Sequence, residues 1–250
     1  MTEYEKMLKG KIYSPGDPET NKLAHEQHKL ALEYNTLNDL DPRRKELIDK
    51  IFPNHKGKIY VQGNLYVDYG VHTTIGDNFY ANNGLTILDV CPVTIGDNCF
   101  FGPNVSLLTP LHPLRYQERN QYFDENIGGY TDKEYGAPIT IGDNCWFGGN
   151  VTVLPGVTIG NGCVIGACSV VTHDIPDNYL AYGNPCKAIR EITEEDSIYN
   201  KKELWWYQKN EEITFIINRN AFPILEFDDD KNAKINPISQ EYMELIYQWE

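Results

Sequence analysis

The chain contains no apolar run near the roughly 20 residues that a membrane-spanning helix needs, so no membrane is expected as its home. Its first residues, MTEYEKMLKGK, lack the hydrophobic stretch of a secretory signal, and the cytoplasm is the expected compartment. Clusters of Lys and Arg are missing too. With 22 basic against 36 acidic residues the formal net charge is -14, which argues against nucleic acid as a partner, because phosphate contacts need a concentrated basic surface. None of the six cysteines stands in a CxxC pair, so disulfide and metal roles are not expected; Cys91, Cys99, Cys145 and Cys163 read as small core thiols. The middle of the chain also lacks both the three-and-four spacing of an amphipathic helix and the alternation of a plain strand.

In their place stands a beat of six residues. Aliphatic or aromatic side chains fall at Ile141, Phe147, Val153, Ile159, Ile165 and Val171 without a slip. The same beat runs through Ile75, Ala81 and Ile87, slips by two residues around Cys91 and Pro92, and resumes at Ile95, Phe101 and Leu107. The tetrapeptide IGDN marks coil starts at Ile75, Ile95 and Ile141. A coil of short strands joined by tight turns fits this period, each inward residue stacking on its counterpart about 4.8 Å away in the next coil. The fifth position of each hexapeptide also faces inward and is small, as at Cys99, Val105, Cys145, Val151, Val157, Cys163 and Ser169. Gly and Asn at the corners accept positive φ at little cost. The fold class is therefore mainly β, a hexapeptide solenoid or parallel β-helix.

The flanks do not keep the beat. Residues 1–56 read as a helical leader: Asp17-Pro18-Glu19 starts a helix carrying Leu23, Leu30, Tyr34 and Leu37, and Asp41-Pro42 starts a second with Leu47, Ile48, Ile51 and Phe52 on one stripe. These helices are expected to cover the open end of the solenoid. Residues 57–192 form the β-helix domain, with a faint beat from Lys58 to Thr74 that suggests an irregular first coil. The segment 109–138 loses the beat altogether and is far longer than a median connection of about 4–6 residues; its aromatic content favours an ordered flap. Residues 193–250 read as a C-terminal accessory extension, with Leu204, Trp205, Trp206 and Tyr207, an apolar run at 213–217 and a helix candidate from Pro237.

Several motifs in order, GKIY, NFYAN at 78–82, LDVCPVTIGDN at 88–98, LHP at 111–113 and GNPCKAIR at 183–190, resemble the maltose and galactoside O-acetyltransferases over about residues 5–192. The resemblance implies a left-handed β-helix, a homotrimer with active sites between subunits, and acetyl transfer from acetyl-CoA, as co-substrate, to a sugar hydroxyl, with no metal required. Such a transfer needs a base, because an alcohol is a weak nucleophile at neutral pH, and a neutral His suits the task. His112 stands where a coil opens into the long loop and is followed by a stiffening Pro. His25, His28 and His55 lie in the leader, and His72 is a rim candidate.

By the same resemblance Asp17, Asp68, Asn82 and Asp89 are acceptor ligands, although Asp17 also reads as a plain helix cap and Asp89 as a support for the loop. Glu134, on the returning arm, is a candidate to orient His112 or the acceptor. Trp146 and Gly149 would line the pantetheine arm of CoA, Ala167 and Thr172 would offer backbone contacts, and Lys187 and Arg190 would meet the phosphates. His173 stands where the family typically has Lys and Lys187 where an Arg is common, departures that soften phosphate binding. Glu26 replaces an Arg of the galactoside enzymes, which leaves the sugar open. Three other readings compete: a xenobiotic or serine acceptor, a non-catalytic scaffold, and a zinc carbonic anhydrase on the same solenoid. The last lacks the close pair of histidines that such a site needs.

Overall fold

The computed structural model describes residues 1–198 together with the backbone strands Leu225–Phe227 and Ala233–Ile235. The chain divides into two compact units, Met1–Ile192 and Thr193–Glu250. Among the described residues no helix is long and apolar enough to cross a membrane.

In the first unit the six-residue beat becomes a parallel β-helix with three faces. Strands of successive coils stack into a five-stranded, a seven-stranded and another five-stranded sheet. On the first face His55, Ile75, Ile95, Ile141 and Ile159 follow one another in register. On the second, Val61, Ala81, Phe101, Phe147, Ile165 and Ala181 do so. On the third, the series is Val67, Ile87, Leu107, Val153 and Val171. Apart from the partly buried His55, every one of these side chains is buried, and together they make one continuous core. The fifth-position residues Cys99, Val105, Cys145, Val151, Val157, Cys163 and Ser169 are buried as expected. Where the chain turns from one face to the next, Asn78, Asn98, Asn104, Asn144, Asn150 and Asn178 take positive φ.

The first coil departs from the six-residue period only between Val67 and Ile75; Val61, Leu65, Val67 and Ile75 all face inward and pair in register with the second coil. Its beat is hidden in the sequence because it slips at the same corner as the second coil, around Tyr69 to His72. Cys91 is a buried core thiol as expected, but outside the ladder of Cys99, Cys145 and Cys163. It belongs to a separate apolar cluster with Met7, Tyr13, Tyr69 and Val90, and its Sγ donates to the Met7 carbonyl at 3.2 Å.

The leader folds into α1 (Glu3–Leu8), α2 (Pro18–Asn35) and α3 (Arg43–Ile51). Leu47, Ile48, Ile51 and Phe52 of the last helix, with Ala31 and Tyr34 of α2, close the core below the first coil. The buried Arg44 satisfies carbonyls of that exposed rim, donating to Val61 at 2.9 Å and Gly63 at 2.8 Å. The long loop is ordered: Pro110–Leu111 pairs antiparallel with Tyr135–Gly136, and a hairpin of Tyr122–Asp124 and Gly129–Thr131 stands between them.

In the second unit the described residues include a 3₁₀ turn, Glu194–Asp196, capped by Thr193, and an antiparallel pair of Leu225–Phe227 with Ala233–Ile235. The aromatic cluster at 204–207, the run at 213–217 and the helix candidate from Pro237 lie outside the described residues.

Candidate functional site

Three interruptions of the beat fall on one edge of the solenoid, where the third face turns into the first. The first coil carries its extra residues after Val67, the second after Leu88, and the third opens there into the loop after Leu108. Asp89 organises this edge. Its Oδ1 accepts the N–H groups of Tyr69 at 2.8 Å and Gly70 at 3.0 Å, its Oδ2 accepts the Thr73 hydroxyl at 2.9 Å, and the residue is fully buried. A carboxylate so engaged ties the corner of the first coil to that of the second. The Asp89 carbonyl can only accept, so the 2.6 Å contact from His72 Nδ1 fixes that proton and leaves Nε2 to accept from Tyr4 Oη at 2.8 Å. Burial pushes the His72 pKa down, which keeps the ring neutral and structural.

One step above, His112 emerges between the two arms of the loop. Pairing of Pro110 with Gly136 and Leu111 with Tyr135 sets it beside the returning arm. Its Nδ1 lies 3.3 Å from Asp132 Oδ2 and its Nε2 3.5 Å from Glu134 Oε1, with the imidazole 48% exposed and the carboxylates mostly covered. The ligand atoms of these three residues lie within 4.8 Å of one another. The two carboxylates approach different ring nitrogens, so a neutral imidazole can donate to one of them and keeps a lone pair on its other nitrogen.

The other oxygen of Glu134 accepts the Tyr13 hydroxyl at 2.5 Å, and the two residues also exchange backbone hydrogen bonds, Tyr13 N to Glu134 O at 2.9 Å and Glu134 N to Tyr13 O at 3.1 Å. Burial raises the pKa of Glu134, opposed by the Tyr13 bond and by His112. Asp68 is closest to neutralisation. Burial first, then the charges of Asp89 and Glu134, push its pKa up to about 7, while His28 Nε2 stands 4.0 Å away. The edge thus joins a base candidate to four acidic groups of contrasting character: one braced, one near its titration point and two flanking the ring.

Asp17 caps α2, its Oδ1 accepting from Glu19 N at 3.1 Å and Thr20 N at 3.3 Å. Thr172 and His173 sit on the same edge as His112, farther along the solenoid, with Thr172 Oγ1 2.8 Å from His173 Nδ1. The remaining predicted residues are elsewhere. Asn82, Gly149 and Ala167 occupy the next edge, between the second and third faces, where Asn82, Gly102, Gly148 and Gly166 stack through successive backbone hydrogen bonds. Coils approach closely here: a Cβ on Gly148 would lie 2.6 Å from Ala167 N. Trp146 projects from the adjoining second face, 57% exposed, and Lys187 and Arg190 lie on the hairpin that ends that face. One chain therefore gathers Asp68, Asp89, His112 and Glu134 but not Asn82, Trp146 or the cationic end.

Asp132 and Tyr13 escaped the sequence reading. Asp132 stands two residues before Glu134 in TDKEYG, on the same side of an extended arm, and only that alternation could have singled it out among the acids of the loop. Tyr13 lies within GKIY, a motif without evident chemistry until the loop folds back on it.

Comparison with known proteins identifies the repeat and its capping segment. Residues 138–173 match the bacterial transferase hexapeptide model, 92–108 the hexapeptide repeat of succinyl-transferase, and 6–57 the maltose acetyltransferase hexapeptide capping motif. A putative acetyltransferase of Saccharomyces cerevisiae is 44% identical over 195 residues, covering 77% of this chain and 94% of its own. The crystal structure of a maltose O-acetyltransferase from Clostridium difficile superposes with a TM-score of 0.70 at 44% identity, covering 78% of this chain and 99% of its own. A galactoside acetyltransferase in complex with coenzyme A gives 0.71 at 38% identity, with coverage of 78% and 94%. With a capping motif at the leader, hexapeptide coils above it and relatives matched over nearly their whole length, the chain belongs to the hexapeptide-repeat acetyltransferases of the maltose and galactoside O-acetyltransferase type.

Proposed function

We propose that the protein transfers the acetyl group of acetyl-CoA to a hydroxyl of a sugar, with His112 as general base. The observation that carries this reading is the half-exposed imidazole held between Asp132 and Glu134 at the open edge of the solenoid. In the reaction, a ring nitrogen of His112 takes the hydroxyl proton as the acceptor oxygen attacks the thioester carbonyl. The tetrahedral intermediate then collapses, the C–S bond breaks, and the imidazolium returns the proton to the departing thiolate. A flanking carboxylate stabilises the imidazolium while it exists. A base of this kind contributes about 100-fold to 10,000-fold, and the rest comes from holding the two reactants together.

Acceptor ligands are drawn from Asp17, Asp68, Asn82 and Glu134, with Asp89 acting through the corner it braces. Trp146, Gly149, Ala167, Thr172, His173, Lys187 and Arg190 serve CoA. Their division between two edges supports a homotrimer, in which the His112 edge of one subunit faces the Asn82 and Trp146 side of its neighbour. The 193–250 unit serves as an accessory to this core.

The test offers acetyl-CoA and a panel of sugars to the purified protein and follows thiol release. His112→Ala is expected to lose at least about 100-fold in turnover while binding CoA as before. Undiminished transfer by that variant would remove His112 from the role of base.

A further inference from the structure

Tyr13 is nearly fully buried, and its ring packs with Met7, Tyr69, Val90 and Cys91. A phenylalanine would fill that cluster equally well, so packing gives no reason for the hydroxyl. The hydroxyl spends its single proton on Glu134 Oε2, and the opposite oxygen, Oε1, is the one that faces His112 Nε2. Backbone bonds in both directions between Tyr13 and Glu134 join the leader to the returning arm of the loop. Two more contacts extend the seam: Gly16 N donates to Thr131 Oγ1 at 3.0 Å, and Lys133 Nζ donates to Ser14 Oγ at 3.1 Å. Nearby, Gly10 has φ +65° and a Cβ there would stand 2.5 Å from Gly136 O, so the leader runs hard against the loop.

We propose that Tyr13 is a positioning residue for the reaction: its hydroxyl fixes the Glu134 carboxylate, which in turn holds the imidazole of His112. The leader is then more than a lid on the open end of the core, because it supplies the last member of a Tyr13–Glu134–His112 chain. Without the hydroxyl, Glu134 can rotate and gains proton affinity. The groups facing Glu134 are Tyr13 from the leader, His112 and Asp132 from the loop, and Asp68 and Tyr69 from the first coil. Among them Tyr13 is the donor bonded to its carboxylate.

This inference rests on His112 being the base, and the experiment separates the two. Full-length wild type, Tyr13→Phe, Glu134→Gln, the double variant and His112→Ala are compared with acetyl-CoA and whichever of glucose, maltose or a galactoside gives the fastest thiol release. Tyr13→Phe is expected to lower kcat about 10-fold, within the loss a misplaced group produces, with the KM for acetyl-CoA unchanged. The acid limb of its kcat profile moves to lower pH, because a Glu134 that has rotated away or taken up a proton stabilises the His112 imidazolium less. In the Glu134→Gln background, loss of the hydroxyl is expected to cost nothing further. Wild-type kcat in Tyr13→Phe, or a full multiplicative loss in the double variant, overturns the proposal; so does a profile that does not move. Full turnover by His112→Ala would instead defeat the assignment of the base, while the coupling of Tyr13 to Glu134 is still read from the other variants. Thermal unfolding of each variant separates this positional loss from simple destabilisation.

Discussion

Two stretches of the same solenoid use the same hexapeptide to different ends. From Ile139 to Val171 the coils follow without interruption, and every inward position is filled by an aliphatic, Phe, Cys or Ser side chain. From Asn54 to Leu108 each turn from third face to first departs from the repeat, and the departures bring polar groups inside: Asp89 and Thr73 are buried, and Asp68 is largely so. The regular stretch buries no charged side chain: its core is apolar, and its backbone groups pair from coil to coil. The interrupted edge must hold charge in a low-dielectric corner, which costs free energy unless donors meet it. Asp89 has three such donors and Glu134 has one, while Asp68 has its proton affinity raised instead. A uniform repeat gives stiffness, and its faults give places where a proton can be moved.

The comparison breaks if damage to either region has the same consequences. Ile159→Ala, in the regular stretch, removes a buried side chain from the core and is expected to cost about 2–5 kcal/mol, lowering the unfolding temperature while turnover per folded molecule is kept. Asp89→Ala strands the N–H groups of Tyr69 and Gly70 and the Thr73 hydroxyl, at about 1–3 kcal/mol for a buried group left unmet. It is expected to reduce turnover as well, since the corner carries Asp68 and supports the loop stem: the Thr109 hydroxyl bridges the Leu88 carbonyl at 2.7 Å and Cys91 N at 3.0 Å. Equal ratios of activity loss to stability loss in the two variants would refute the division.

How much of this was legible beforehand follows from the range of the forces involved. The run from Ile141 to Val171 could be read directly because each coil repeats a local choice and the neighbouring coil repeats it again. The beat of the first coil is faint because its slip moves Ile75 two places, as that of the second moves Ile95, and a fixed period does not survive an insertion. His112 was legible as the histidine at an opened coil, and Glu134 as an acid on the return. Asp132 and Tyr13 were not, because their roles depend on a loop of long sequence separation closing on a leader more than a hundred residues away. Cys91 is buried as its six-residue count implies, but in the cluster under the leader, where its Sγ donates to the Met7 carbonyl of α1. Asp17 satisfied its cap, and pattern alone could not say whether one oxygen or both would be used.

A smaller effect separates the two regions by pH. The carboxyl of Asp68 is raised from 3.8 to about 7 by burial and by Asp89 and Glu134, with Tyr66 and His28 also facing it. Below pH 3.8 both the folded and unfolded chains hold this proton, so it has no bearing on stability. Between 3.8 and about 7 the unfolded chain releases it while the folded chain keeps it, and unfolding is progressively favoured. Above about 7 the penalty is constant. Asp68→Asn removes that linkage. Its unfolding temperature relative to wild type is therefore expected to rise between pH 4 and pH 7 and then level off. A difference independent of pH would mean that Asp68 is solvated in the folded protein.

The smallest effect belongs to a corner of the regular stretch. Asn144 takes φ +59°, in the left-handed region where an Asn is tolerated and a Gly is free of strain. It lies in the third IGDN, away from the His112 edge, and its backbone N–H reaches the Asp97 carbonyl at 2.7 Å, a bond that any residue with this φ can make. Asn144→Gly is expected to change stability by less than about 1 kcal/mol, and Asn144→Ala to cost about 1–2 kcal/mol through the positive φ. Neither should alter thiol release at 25 °C, because the distortion is confined to one turn and the faces on either side are held by coils above and below. A loss of turnover in Asn144→Ala at unchanged folded population would show that strain in the regular wall reaches the interrupted edge, and the two regions would then have to be treated as one mechanical body.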